Sequence, residues 1–256
     1  MKILAITNQK GGVGKTTTCV NLAASLAATK RRVLLIDLDP QGNATTGSGV
    51  DKAALEHTVY HVLLGTKSLA EVRVTSGSGF DVIPANRELA GAEVELVNEL
   101  ARETRLKKAL ASFTSEYDYV LIDCPPALNL VTVNALTAAH AVMIPMQCEY
   151  YALEGLSDLV NTIKKVRAYL NPSLEIEGLL RTLFDPRNML AQQVSSQLTQ
   201  HFGDKVYRTV IPRNVRLAEA PSYGVPVLVH DKSSKGAQAY LALAGEMINR
   251  SGVANG

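Results

Sequence analysis

The chain contains no tryptophan, and aromatic residues make up only 5% of its 256 positions. A platform of stacked aromatics for single-stranded nucleic acid is therefore not expected. Cysteine is scarce: Cys19, Cys124 and Cys148 stand far apart with no CxxC spacing. They read as reduced thiols of a cytoplasmic protein, not as a disulfide framework or a metal cage. No sign of charge dominates, since 26 Lys and Arg against 24 Asp and Glu leave a formal net charge of +2. That is too little to announce nucleic-acid binding, so any basic surface must be local. No apolar run is long enough to span a bilayer, and Met1 runs directly into an apolar strand pattern, so neither a membrane anchor nor a signal peptide is expected. With 46% hydrophobic and 20% charged residues, the chain has enough apolar mass for a sizeable core.

Short apolar runs alternate with helical patterns. Ile3–Thr7, Val33–Ile36, Phe80–Pro84, Tyr119–Ile122, Ala141–Ile144, Ile176–Leu183 and a short stretch near Thr209–Ile211 read as strands. Helices are expected over Lys15–Thr29, Glu88–Ser112 with one break, Leu153–Tyr169, Leu190–His201 and Lys235–Arg250, and a loop over Gln41–Gly49. The segment Asp51–Ser78 gives no clear pattern. This order predicts an α/β fold: a mostly parallel twisted sheet with helices on both faces, in one domain over residues 1–256. In such sheets ligands sit beyond the C-terminal strand ends.

One such end carries Lys10-Gly11-Gly12-Val13-Gly14-Lys15-Thr16-Thr17. Glycines let the backbone N–H groups close around a polyphosphate, and the helix that follows adds its positive N-terminus. Lys15 is expected on the β/γ-phosphates and Thr16 on Mg2+. The strict P-loop pattern requires glycine where Gln9 stands, and a second lysine, Lys10, precedes the loop. Two further strand ends carry acids. Asp37 and Asp39 alternate after Leu35-Ile36, a pattern that offers two carboxylates to metal-bound and attacking water. Asp123 ends Val120-Leu121-Ile122 as a Walker B acid for Mg2+, before the stiff pair Pro125-Pro126.

The segments KGGVGKTTT, DLDPQGNAT, LIDCPP, CEYYALEGL and VIPRNVRLAEAPS together resemble the ParA/Soj family of chromosome and plasmid partition ATPases. That family lies in the deviant Walker A group with MinD and the nitrogenase iron protein. The resemblance spans about Met1 to Glu246. It implies that Lys10 reaches the phosphates held by the other subunit of an ATP-sandwich homodimer. It implies that Asp39 is needed for hydrolysis, and that the loops of two subunits meet near Gly12. Glu149 resembles a contact to the partner's nucleotide ribose, and Pro212 and Asn214 resemble an adenine-binding segment. Arg187, Arg213 and Arg216 resemble arginines on the backbone of nonspecific double-stranded DNA, and Lys205, Arg208, Lys232 and Lys235 are candidates to widen that patch. The resemblance further implies slow basal ATP hydrolysis, stimulation by a ParB-type centromere-binding protein, and a place on the nucleoid.

Other classes are less well matched. A MinD-like membrane-associated division-site ATPase needs an amphipathic basic C-terminal helix, and Met247–Gly256 carries one basic residue and little apolar bulk. An iron–sulfur reductase needs two suitably spaced cysteines per subunit, and Cys124 and Cys148 do not sit in the matching motifs. A repressor with an N-terminal helix-turn-helix is not expected, because the first strand begins almost at Met1.

Overall fold

A computed structural model of the chain describes residues 1–113 and 117–253. β1 (Lys2–Ile6) leads through the glycine-rich turn into α1 (Lys15–Ala28), and β2 (Val33–Asp37) leads into the short α2 (Asn43–Gly47). Two small helices, α3 (Val59–Leu64) and α4 (Leu69–Val72), precede β3 (Val74–Thr75) and β4 (Asp81–Ile83). α5 (Leu89–Glu95) and α6 (Arg105–Ser112) come next in sequence, then β5 (Tyr119–Asp123), α7 (Leu130–Ala138) and β6 (Ala141–Gln147). α8 (Ala152–Tyr169), β7 (Glu175–Phe184), α9 (Met189–Phe202) and β8 (Val206–Pro212) follow. α10 (Val215–Glu219), α11 (Val227–His230) and α12 (Lys235–Val253) complete the described chain. Ala254, Asn255 and Gly256, the tip of the C-terminal segment, lie outside the described residues.

The sheet has eight strands in the order β3-β4-β2-β5-β1-β6-β7-β8. Among the described residues only the β3–β4 pair is antiparallel. Successive residues of a strand point to opposite faces, and both faces are covered, so the central strands are apolar throughout. Ile3, Ala5, Leu34, Ile36, Val120 and Ile122 enter one core, packed with residues of α3, α5, α6, α7, α8 and α9. Leu4, Ile6, Val33, Leu35 and Leu121 enter the other, formed with α1 and α12. The expected α/β architecture is the one observed.

Register decides where chemistry can occur. Ile6 lies beside Asp123, and Asp123 beside Asp37, so three strands end abreast. The chain leaves β1 for β2 on one side and returns through β5 to β6 on the other. That reversal opens a crevice above the C-terminal end of β1.

Four local expectations change. Gln41–Gly49 is not a loop throughout: Gly42 turns the chain with φ 62° and α2 follows. The unassigned stretch before β4 holds α3, α4 and the edge strand β3. α7 fills the interval after Pro125-Pro126, capped by the Asn129 side chain, which accepts from the Thr132 N–H at 3.0 Å. The interval between β8 and α12 holds α10 and α11.

Candidate active site

The turn after β1 is held from both sides. The Asn8 side chain donates to the Pro145 carbonyl at 2.9 Å and accepts from the Lys10 N–H at 3.0 Å. Thr182 on β7 donates its hydroxyl to the Val13 carbonyl at 2.7 Å, and Val13 itself is buried as a plug. Gly12 and Gly14 adopt φ of 75° and 83°, a region that side chains disfavour, and Gly14 is the residue from which α1 starts. The outer rim, Gly11 and Gly12, has nothing within 4 Å of where a Cβ would stand. The turn is thus anchored below and open above, as backbone N–H groups need in order to meet an anion.

Lys15 is nearly buried and curls under this turn, its Nζ donating to the Lys10 carbonyl at 2.9 Å. Burial lowers its pKa, and the neighbouring Asp123 opposes that shift most strongly. Asp123 is itself fully buried at the end of β5. Its Oδ1 accepts from the Cys19 thiol at 3.4 Å, while Oδ2 has no hydrogen-bond partner. Burial first, and then the Asp37 carboxylate, push its pKa up, while the nearby Thr16 hydroxyl pulls it back. A buried carboxylate oxygen without a partner is costly unless a cation faces it. The donor set of Thr16, Asp39 and Asp123 therefore fits Mg2+, a hard cation that takes oxygen ligands and keeps several waters. Among the described residues no group of three or more His, Cys, Asp or Glu side chains is placed to hold a metal. The remaining ligands of such an ion have to come from phosphates and water.

The two acids after β2 part company. Asp37 is fully buried and spends both oxygens on its own loop. Oδ1 accepts from the Asp39 N–H at 3.0 Å, and Oδ2 accepts from the Thr45 N–H and hydroxyl, each at 2.8 Å. The expectation of two carboxylates for metal and water thus narrows to one. Asp39 is half-exposed, with Oδ1 accepting from the Gln41 N–H at 2.9 Å. Asp37 organises the loop that presents it.

Lys10 and Glu149, expected to serve the partner's nucleotide, form an ion pair with each other within the chain, with side chains 49% and 44% exposed. Pro212 ends β8 beside Phe184, and the Asn214 side chain caps α10 by accepting from the Leu217 N–H at 3.3 Å. A cavity of about 450 Å³ lies over the first turn of α1, lined among others by Thr16, Thr17, Asn43, Thr46 and Ser222. Asn43 and Thr46 belong to α2, so reading that segment as a loop hid this wall from the sequence.

Arg187 follows β7, while Arg213 and Arg216 follow β8, and the two strands are neighbours in the sheet. All three arginines are exposed at one corner of its C-terminal edge. Arg187 grips Asp185 through two bonds of 3.0 and 2.9 Å, and Arg216 pairs with Glu219 at 2.8 Å and with Asp231 at 3.5 Å. Lys232 adjoins Asp231 in sequence and Lys235 begins α12, on the same side. Lys205 precedes β8 and so lies at the other end of that strand, about 20 Å away. Arg208, the third residue of β8, stands near that end as well, its backbone N–H donating to Glu246 at 2.8 Å and its side chain exposed. Both thus stand toward the N-terminal end of β8, away from the corner where Arg213 and Arg216 follow it.

Residues 1–176 match the family model described as AAA domain. The sporulation initiation inhibitor protein Soj of Bacillus subtilis is 56% identical over 247 residues, covering 96% of this chain and 98% of that protein. The chromosome partitioning protein ParA of Caulobacter vibrioides is 54% identical over 253 residues, covering 98% and 95%. Among solved structures, a cobyrinic acid a,c-diamide synthase of Mycobacterium smegmatis with bound ATP analogue and magnesium superposes with a TM-score of 0.84 at 40% identity, covering 96% of this chain and 93% of that one.

Proposed function

This chain belongs to the ParA/Soj family of partitioning ATPases, and on that premise we propose that it is an ATP-gated dimer switch for DNA segregation. It is an ATPase that uses ATP and Mg2+. The observation that carries the switch is the division of labour between two lysines. Lys15 already occupies the underside of its own loop, while Lys10 holds its ammonium out at the surface, paired with Glu149. A cation placed there gains most from a triphosphate whose open side it approaches from a second subunit.

Exchange drives assembly. A surface ion pair such as Lys10–Glu149 is worth about 0–1 kcal/mol, whereas a charge-assisted bond to phosphate in a closed interface is stronger. Mg2+, when bound, would supply positive charge at the phosphates, and Thr16, Asp39 and Asp123 would hold it. Asp39 positions the attacking water, and loss of the γ-phosphate loosens the dimer. A ParB-type partner accelerates that step. The protein then works in the cytoplasm on the nucleoid, cycling on and off nonspecific DNA. Among the described residues no helix is long and apolar enough to cross a membrane.

Arg187, Arg213 and Arg216 would serve DNA as phosphate contacts, each leaving a carboxylate or water for a backbone oxygen. Doubling three arginines gives six contacts per dimer. The logarithm of the binding constant should then fall with the logarithm of salt concentration with a slope of about −5. Titrating duplex DNA with ATP, with ADP and without nucleotide across a salt series tests this. Binding is expected only with ATP, at equal strength for unrelated sequences, and Arg187→Ala or Arg216→Ala should each flatten the slope. Equally tight binding without nucleotide would contradict the proposal.

A further inference from the structure

We infer that Thr45 is a positioning residue for ATP hydrolysis, the clamp that fixes Asp39 through Asp37. This rests on Asp39 as the residue that orients the attacking water. Asp39 has one backbone tether to the interior, its N–H on Asp37 Oδ1 at 3.0 Å. Asp37 can hold that tether in place only if its other oxygen is fixed. Thr45 fixes it twice, from its N–H and its hydroxyl, each at 2.8 Å from Oδ2. The hydroxyl is in turn held, accepting from the Ala85 N–H at the end of β4 at 2.9 Å. Thr45, Asp37 and Ala85 are all fully buried, so none of these bonds has water as a substitute.

The backbone is pressed into the same place. Gly42 sits so near the Ala85 carbonyl that a Cβ would stand 2.6 Å from its oxygen, and the Gly42 N–H closes the turn on the Asp39 carbonyl at 2.9 Å. The loop that presents Asp39 is therefore bounded by Asp37 behind it and by α2 in front of it. Among the described residues Thr45 is the one side chain bonded to both Asp37 and Ala85. Its neighbours in α2, Thr46 and Gly47, face Thr16 across the cavity over α1. Thr45 itself lines neither the cavity nor the phosphate turn. Its effect on the reaction has to pass through Asp37.

Misplacing a catalytic group slightly costs rate far more than it costs binding, so the defect belongs in kcat. Three full-length variants, Thr45→Val, Thr45→Ala and Thr45→Ser, are compared with the parent and with Asp39→Ala in steady-state hydrolysis with Mg2+ and duplex DNA. Binding of a non-hydrolysable ATP analogue and the melting temperature are measured alongside. Thr45→Val and Thr45→Ala should lower kcat about tenfold or more with KM and analogue affinity within about twofold, and Thr45→Ser should restore kcat. The smaller Thr45→Ala keeps the test alive if valine does not fold. Normal kcat in folded Thr45→Val or Thr45→Ala, or an equal loss in Thr45→Ser, would overturn the clamp. If Asp39→Ala itself turns over normally, the role of Asp39 fails instead, which is a separate result.

Discussion

Lys10→Ala is expected to abolish ATP-dependent dimerisation and DNA binding while leaving ATP bound to the single subunit. The Lys10 side chain pairs with Glu149, and both are half-exposed. Folding loses little when such a pair is removed, about 0–1 kcal/mol. The lysine that stays beneath the loop is Lys15, which keeps its bond to the residue-10 carbonyl, a backbone group that alanine also supplies. In the dimer, by contrast, each Lys10 would make a charge-assisted contact worth about 1.5–3 kcal/mol, and there are two per assembly. Losing about 3–6 kcal/mol weakens assembly by roughly two to four orders of magnitude. Isothermal titration with ATP should show near-parental affinity, while mobility shift on duplex DNA should show none. Gly12→Val, the other obvious dimer block, is less clean. A Cβ there meets nothing within its own subunit, but φ of 75° strains any side chain, so its effect mixes loop distortion with obstruction of a partner.

Asp39→Ala should do the opposite and hold the protein on DNA. On the proposed function Asp39 is the carboxylate of its loop that serves the phosphates, because it is half-exposed whereas Asp37 is buried and held by Thr45 and by the Asp39 backbone. Removing the group that orients an attacking water lowers turnover by about 10²- to 10⁴-fold. Asp123, Thr16 and the glycine turn remain, so ATP and Mg2+ still bind. Phosphate release should fall to background, and dissociation from DNA after ATP is withdrawn should slow in proportion. Phosphate release at the parental rate would remove Asp39 from catalysis.

The sequence made the site legible where pattern and chemistry coincide. A run such as Leu34-Leu35-Ile36 followed by Asp can be read as a buried strand delivering a carboxylate, because both sheet faces are covered and the acid appears only at the end. It was not legible where a polar stretch folds through tertiary contacts. Gln41–Gly49 is rich in Gly, Thr and Ser and lacks an apolar stripe, yet α2 forms there because Thr45 bonds to Asp37 and Ala85. α7 was hidden for the reverse reason. Its residues are buried on nearly all sides, and Val131, Thr132 and Val133 suit strands as well as helices, so no amphipathic period marks it. The equivalence of Asp37 and Asp39 also dissolved on three-dimensional grounds, since alternation says which side a residue faces but not which hydrogen bonds consume it. Lys205 and Lys235 look alike as charges in sequence, and only the direction of β8 separates them.

Whether ATP joins two copies of the chain is read most directly from the molar mass in solution by light scattering. The protein is saturated with a non-hydrolysable ATP analogue and Mg2+, and compared with the ADP-bound and nucleotide-free states. Twice the subunit mass with the analogue, the single mass in the other two states, and the single mass for Lys10→Ala in all three are predicted. A single subunit mass for the parent chain at saturating analogue would rule out the ATP-joined dimer.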